Sequence, residues 1–451
     1  MSISCSAAMR NTRVCPLQGA ASWIAPAIVA CLGVAATAAS AQEENGELTR
    51  NQSAVASTID SILEQERGSA ALNDMLNRIE DLPAAELPSA YDSVAHEEVD
   101  AHRTIGVQSG AAQVRNISDR VADLRAGVTG VSLERLVVVA DGQRLDGDLF
   151  AHLLPAALRG GGASGDAGAR LAGLGIFANG AVEFGDQDQT SRRDGLDYTS
   201  LELTVGADYR FTEQFVLGAA FGFSDTDGDF DRGGGVEVQS YTAQVFGLYY
   251  PIENFSIDAV AGYSWLDYDM RRRIDLGALM TTSARSDTDG TQVFASAGAM
   301  YDIAVEGATL SPFGRLEFQR LEIDGFRERG AAPLNLVVDD QNVSSLTSAL
   351  GLQVAYPIST GFGILQPQAR AAWRHEFLNN ARTVNAFFVE DGAATRFDVR
   401  TPSPDRDWLD LGVGLSLTTI HDIAAFIEYE GDFFRDDLDR HRITAGLRYQ
   451  F

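Results

Sequence analysis

The feature that most constrains this chain is apolar–polar alternation, held over segments of eleven or more residues through its C-terminal 281 residues. From Leu201 to Phe211, Leu201, Leu203, Val205, Ala207, Tyr209 and Phe211 share one face, opposed by Glu202, Thr204, Asp208 and Arg210. Phe255, Ile257, Ala259, Ala261, Tyr263 and Trp265 oppose Ser256, Asp258 and Ser264. Leu365, Pro367, Ala369, Ala371, Trp373 and Phe377 oppose Gln366, Gln368, Arg370, Arg374 and Glu376. A period of two marks strands with one apolar and one polar face. Twelve such segments are predicted, near 171–184, 196–211, 214–225, 236–251, 254–270, 286–305, 308–323, 341–358, 361–376, 405–420, 422–434 and 440–451. They exceed the usual strand of about 5–6 residues in soluble sheets and suit tilted membrane strands, which need about 9–11.

The connections alternate too. Residues 211–214, 251–254, 306–308 and 420–422 read as tight turns, while 185–195, 226–235, 271–285, 324–340 and 377–404 are long and polar. Short turns at one end and long loops at the other, with an even strand count, are the pattern of bacterial membrane barrels. The fold expected is therefore an all-β transmembrane barrel of 12 antiparallel strands. Tyr209, Phe211, Tyr249, Tyr250, Trp265, Tyr268, Trp373 and Trp408 stand at strand ends, as interfacial girdles do. Alternation alone does not say which face is inside, and a large soluble β-sandwich or lipocalin-like fold is the competing reading. Strand length, a leader sequence and the last residue favour the membrane barrel. Leu447, Tyr449 and Phe451 end the last strand at spacing two, and a terminal aromatic there resembles the assembly signal of outer-membrane barrels.

The leader begins with Arg10 and Arg13, continues through an apolar run containing Ile24, Ile28, Val29, Leu32 and Val34, and ends at Ala39-Ser40-Ala41. Residues 1–41 read as a secretory signal peptide, with Ala39 and Ala41 as the small residues at the cleavage site. An uncleaved anchor and a lipoprotein-type modification at Cys31 are the alternatives. Cys5, Cys15 and Cys31 all fall in the leader, so the mature chain has no thiol for a disulfide or zinc-thiolate site. The formal charge is −28, and losing two Arg with the leader takes it near −30. No basic face for nucleic acid is expected from that balance. None of the 35 basic residues is Lys.

Residues 42–158 read as mainly α-helical. Leu72, Leu76, Ile79 and Leu82, and then Val114, Ile117, Val121 and Leu124, keep helical spacing. Helices are predicted near 53–80, 88–125 and 146–158, with Leu87-Pro88 as a helix start and 135–140 as a short strand. The first helix is polar enough to read as an exposed arm or an oligomer contact. Residues 159–170 are Gly-rich; twelve extended residues reach roughly 40 Å, enough to cross a hydrocarbon core of about 25–30 Å.

From about residue 171 to the end the chain resembles the autotransporter β-domain, the twelve-stranded translocator of type V secretion. The resemblance is carried by Gly175–Gly180 (GIFANG), Gly206–Phe211 (GADYRF), Leu217–Gly222 (LGAAFG), Ser311–Glu317 (SPFGRLE), Pro367–Arg370 (PQAR), Trp373–Phe377 (WRHEF) and Gly446–Phe451 (GLRYQF) in that order. It implies export of the N-terminal region through the pore to the cell surface, with 159–170 as the pore-threading linker. It also implies delivery by the general secretory pathway, insertion by the barrel assembly machinery, and contact with outer-membrane lipids and lipopolysaccharide. Gln113–Arg125 is similar to the linker helix of self-cleaving serine-protease autotransporters. Those have two adjacent Asn, the first of which cyclises to break the chain. Here Arg115 stands in the first place and only Asn116 remains, a turn of about 100° around the helix, so self-cleavage at Asn116 is disfavoured.

No Gly-x-Ser-x-Gly elbow, phosphate loop or dinucleotide fingerprint occurs. His96 and His102 lack the i, i+4 spacing of a zinc helix, since Asp100 holds the needed place. Asp225, Asp227, Asp229 and Asp231 concentrate carboxylates in an expected outer loop and are weak divalent-cation candidates, without EF-hand spacing. The sequence thus points to a monomeric outer-membrane autotransporter translocator with a short displayed N-terminal region, and to no enzyme, cofactor, metal or nucleic-acid partner. An orphan outer-membrane barrel acting as a passive pore or structural protein is the other reading.

Overall fold

A computed structural model describes residues 48–125, 131–135, 138–140, 143–145, 173–378, 380–419, 423–436 and 438–449. The leader with its cleavage site, the expected helix 146–158, the Gly-rich 159–170 and Phe451 lie outside the described residues.

Among those residues, twelve long antiparallel strands form the wall. They are β1 Leu174–Gln187, β2 Leu196–Thr212, β3 Phe215–Phe230, β4 Gly234–Ile252, β5 Phe255–Asp275 and β6 Thr281–Tyr301. β7 Ala308–Ile323, β8 Gln341–Ala355, β9 Gly363–Glu376, β10 Asp407–Thr419, β11 Ile423–Phe433 and β12 Asp439–Tyr449 complete it. Each pairs with its sequence neighbour, and β12 closes on β1 through 439–444 against 181–186. Lower on β1, residues 131–135 run parallel to it, with Val131 opposite Ile176. The expected short strand at 135–140 is thus found as two pieces, 131–135 and 138–140, the latter paired with 143–145. One end carries tight turns. At Glu306–Gly307 both residues have positive φ (48° and 87°), the conformation of a type I′ hairpin turn.

The structure decides which face is inside. Val205, Leu217, Phe221, Val245, Ile257, Val293, Leu316, Leu350, Val413 and Ile427 point outward and are exposed, while Thr204, Gln244, Ser264, Gln292, Asp410 and Arg442 are buried inward. A girdle of apolar side chains around a polar interior is stable only where lipid, not water, meets the wall. Near the loop-bearing end this arrangement inverts. Along β5, Ile257 to Trp265 face out at odd positions, but beyond them Leu266, Tyr268, Met270 and Ile274 face in while Asp267, Asp269, Arg271 and Arg273 face out. β2, β3, β4 and β7 make the same switch, and the inward residues form an apolar cluster with Ala101 and Ile105. The wall therefore projects beyond the apolar girdle as a water-facing barrel.

That projection corrects two expected loops. Segments 226–235 and 271–285 are largely strand, because inward Phe230, Val236, Val238 and Met270 have a core to join and keep the ladder running.

Among the described residues four α-helices precede the wall: α1 Arg50–Glu64, α2 Ala70–Glu80, α3 Leu87–Ala95 and α4 Asp100–Arg125. Thr49 and Gln52 form a capping box at α1, and Ser69 caps α2. α3 has Pro88 in its first turn and stops at His96, which takes a left-handed conformation. The two long helices expected at 53–80 and 88–125 are thus each divided, at 65–69 and 96–99. α1 is no exposed arm: Val55, Ile59 and Ile62 join Leu72, Leu76, Ile79, Tyr91 and Val94 in one core. The opposite side of that core comes from the outer links. Segments 326–327, 336–338, 383–388 and 397–400 make a four-stranded antiparallel sheet, contributing Leu336, Val338, Val384, Ala386, Phe388 and Phe397. The β5–β6 hairpin adds Ile274, Leu276 and Ala284. Helices and loops together form a folded cap.

Candidate functional site: the helix-filled lumen

α4 runs through the barrel. At its start, Asp100 accepts from Arg103 (3.1 Å) and from Arg382 of the 377–406 link (3.1 Å). At its end, Arg125 donates to Asp302 in the turn between β6 and β7 (2.6 Å). Twenty-six residues span about 39 Å, so the helix connects the capped end with the tight-turn end. The lumen is thus occupied, among the described residues, by α4.

Two kinds of contact seat it. Gly106 and Gly110, one turn apart, permit close approach to the wall: a Cβ at Gly106 would lie 2.5 Å from Leu321, and one at Gly110 2.5 Å from Gln292. Glycine inside a helix costs about 1 kcal/mol relative to Ala, and here the gain is contact. Towards the tight-turn end, Val114, Ile117, Val121 and Leu124 pack on Phe177, Phe246, Val260 and Phe294. The remaining surface is polar and makes specific pairs with the wall. Arg115 pairs with Glu183 (2.6 Å) and Arg120 with Asp208 (2.8 Å). Gln113 accepts from Thr204 (3.0 Å) and Gln244 (3.1 Å).

Asn116 is held on every side. Its Nδ2 donates to Thr204 (3.1 Å) and Glu202 (3.3 Å), and its Oδ1 accepts from Arg442 (2.5 Å). Its main-chain carbonyl accepts from Asn179 Nδ2 (2.7 Å). Cyclisation would join Nδ2 to that carbonyl carbon. Instead, separate wall residues hold the two groups.

The wall charges are ordered into pairs. Arg370 meets Asp410 (3.0 Å) and Glu430, Arg374 meets Glu317 (3.2 Å) and Asp410 (3.1 Å), and Arg440 meets Asp432 (2.7 Å). Glu376 takes Ser345 (2.5 Å). Arg370, Arg374 and Glu376, on the polar face read from the sequence, are thus among the lumen residues. Glu202 and Asp208 also belong to a polar face read from the sequence, whereas Glu183 and the two helical glycines were not singled out, although the polar face of their strand and the i, i+4 spacing of the glycines were visible signals.

Asp225, Asp227 and Asp229 lie on β3 rather than in a loop, on its outward face beyond the girdle, with Asp231 in the turn that follows. Among the described residues no group of three His, Cys, Asp or Glu could hold a metal ion. Leu447 and Tyr449 lie on β12. His102 is buried edge-on to Tyr268 and Phe326 (centroids 5.0 and 5.5 Å), and His96 meets Glu98 (3.4 Å).

At the junction of cap and barrel, Arg232 lies among Glu97 (3.3 Å), Asp92 (3.8 Å) and Asp194 (3.8 Å). Burial, reinforced by Asp92 and Glu98, pushes Glu97 up to about 7 against the pull of Asn51 and Arg232. Burial and nearby Glu98 push Asp194 up to about 6. Arg272 seals the other side by a fully buried fork onto Glu328 (2.7 and 2.8 Å) and a bond to the Ser93 carbonyl (2.7 Å).

A lipid-facing closed wall with a helix through its pore defines a membrane β-barrel of the bacterial outer membrane. Residues 176–430 match the autotransporter beta-domain family model, and the chain belongs to that family. It is an outer-membrane translocator barrel. It is similar to Esterase EstA of Pseudomonas aeruginosa, 32% identical over 206 residues, 43% of this chain and 29% of that protein. It is also similar to Outer membrane protein A of Rickettsia rickettsii, 25% identical over 223 residues, 47% of this chain and 10% of that one. The chain spans less than a third of the length of these curated relatives. A solved structure, the translocator domain of autotransporter NalP from Neisseria meningitidis, is 18% identical, covering 67% of this chain and 95% of its own, with a TM-score of 0.49.

Proposed function

We propose that the barrel exports its own N-terminal region and holds residues 48–99 at the cell surface as a folded cap. The direction of α4 carries this reading. In bacterial barrels the long loops face outward and the short turns face the periplasm. α4 begins under the cap built on the long loops and ends at Asp302 in a short turn, so residues 48–99 before it lie outside and its C-terminal end at Arg125 lies on the periplasmic side. Folding of the cap against the loops supplies a local driving force for export. The work is transport and display, without catalysis or a cofactor. The general secretory pathway and the barrel assembly machinery supply delivery and insertion, and lipopolysaccharide meets the outer wall of a monomer. A passive open pore is disfavoured by the packed α4.

An epitope inserted after Gln65, in the exposed α1–α2 turn, tests this in intact cells. Surface labelling that external protease removes is expected. Labelling seen only after permeabilising the outer membrane would overturn the proposal.

A further inference from the structure

We propose that along β9 to β11 the outer leaflet of the membrane reaches the loop-bearing rim of the barrel, where Phe377 and Phe434 insert into it. The partner is a lipid surface, and it meets the wall along an oblique line. On β5 the outward apolar residues end at Trp265, ten residues before the strand does at Asp275, about 33 Å along the chain. On β9 to β11 they continue to the ends of the strands. Ala371 and Trp373 on β9, Leu409 and Val413 on β10, and Tyr429 and Phe433 on β11 face out, while Arg374, Asp410, Glu430 and Asp432 face in. These strands have 14, 13 and 11 residues against 21 in β5. To either side the boundary drops: β7 passes outward from Phe318 to Arg320, and β1 from Phe184 to Asp186.

The rim itself is aromatic. Phe377 is 50% exposed and Phe434 82%. Phe434 also has φ 60°, a conformation that bulky side chains rarely adopt. A ring held open in water would gain nothing there, whereas one covered by lipid gains its transfer free energy. Below the rim, Trp373, His375 and Phe377 form a ladder up the outer face of β9, with successive ring centroids 5.8 and 4.7 Å apart. Their polar atoms turn to the protein: Asp407 accepts from Trp373 Nε1 (2.9 Å) and pairs with His375 Nδ1 (2.8 Å). Tyr429 meets His441 in the same way, Oη to Nδ1 at 2.7 Å. Outward Trp, Tyr and His with an apolar body and a satisfied polar tip suit the membrane interface.

Continuity identifies the occupant. The patch runs into the lipid-covered girdle through Val413 and Ile427, and Asp407 within it is paired. At the ends of β3 to β6, by contrast, Asp227, Glu237, Asp269 and Asp287 face out in a row, an arrangement for water rather than lipid. The link after Phe377 leads into the cap sheet at 383–388, so lipid at this rim sets the base of the cap against the leaflet. The inference holds whichever way the chain is exported.

The test labels the full chain in a background of Cys5→Ser, Cys15→Ser and Cys31→Ser, so that each added thiol is unique. Phe377→Cys, Phe434→Cys, Val413→Cys and Asp269→Cys each carry an environment-sensitive fluorophore, in vesicles of phosphatidylethanolamine and phosphatidylglycerol. Heat-modifiable gel mobility confirms that each is folded. The labels replacing Phe377 and Phe434 should emit at blue-shifted wavelengths and lose intensity to nitroxides on the lipid acyl chains, as the girdle label replacing Val413 does. The label replacing Asp269 should emit as in water and lose intensity only to a soluble quencher. Water-like emission from the two rim labels overturns the proposal. So does a blue shift there without loss to lipid nitroxides, which would mean that protein, a second copy or another partner, covers the rim.

Discussion

Arg115 of α4 and Glu183 of β1 meet at 2.6 Å inside the barrel, both buried. Sixty-eight residues separate them in sequence. Their pairing helps fix the depth of the helix in the pore, because sliding by a turn would leave two buried charges unmatched. Removing one partner of a buried pair costs about 3–5 kcal/mol. Glu183→Ala should therefore loosen α4. The expected outcome in planar bilayers is a rise in single-channel conductance, with faster hydrogen exchange across 100–125.

The close approach at Gly110 makes an independent prediction. Gly110→Leu has no room against Gln292 and Gln319, so the helix must shift or leave. Protease sensitivity within α4 should rise while the barrel keeps its heat-modifiable gel mobility. Gly110→Ala should show a smaller effect of the same sign.

Asn116 clamps α4 through both its side chain and its carbonyl, and these groups are held apart by different wall residues. The chain should stay intact on denaturing gels after purification. A fragment pair divided after Asn116 would show instead that its amide attacks its own carbonyl. Asn116→Ala should lower stability by about 1–3 kcal/mol, since Arg442 and Glu202 then lose a buried partner.

Docking of the cap should depend on pH. Glu97 titrates near 7 and Asp194 near 6 in the folded protein, above the ordinary carboxyl range. The folded state therefore binds more protons than the unfolded one between about pH 4 and 7. Cap stability falls as pH rises through that window and levels off above it. Glu98 acts oppositely: despite its burial, His96 and Arg272 hold it low, so its contribution changes only at more acidic pH. Protection factors of α1 to α3, taken as exchange rates relative to the unfolded chain at the same pH, should rise from pH 8 to pH 5.5, and Glu97→Gln should flatten the change.

Beyond the girdle, acids face each other across strands. Asp227 lies opposite Glu237, Glu237 opposite Asp269, and Asp269 opposite Asp287. Like charges directly opposite are destabilising, by about 0.2–1 kcal/mol a pair. Asp269→Asn should raise the denaturation midpoint, and the gain should shrink in high salt as screening weakens the repulsion.

The barrel itself was legible from the chain, because alternation, strand length and turn spacing are local signals. Val205, Ile257 and Leu316 announce their strands whatever surrounds them. Even the change at Trp265–Leu266, where apolar residues move from odd to even positions, is written in β5, inside the expected strand 254–270, and it signals that the strand runs on past 270. The inside of the barrel was less legible. The polar faces were visible, but nothing local pairs Asn116 with Arg442, 326 residues away, or Asn51 with Arg400. The lumen helix reads as an ordinary polar helix until the wall supplies Glu183, Glu202 and Asp208. The links 324–340 and 377–404 look like solvated loops until α1 to α3 cover Leu336, Val384 and Phe388. Sequence by itself determined the strands and their number, which rest on periodicity within one segment, and pointed to the membrane class through strand length, turn spacing and the leader. Tertiary structure alone decided which face is wet, what fills the pore and what the loops become. Those outcomes depend on burying charges and apolar side chains between segments far apart in the chain, and such pairings have no local period to read.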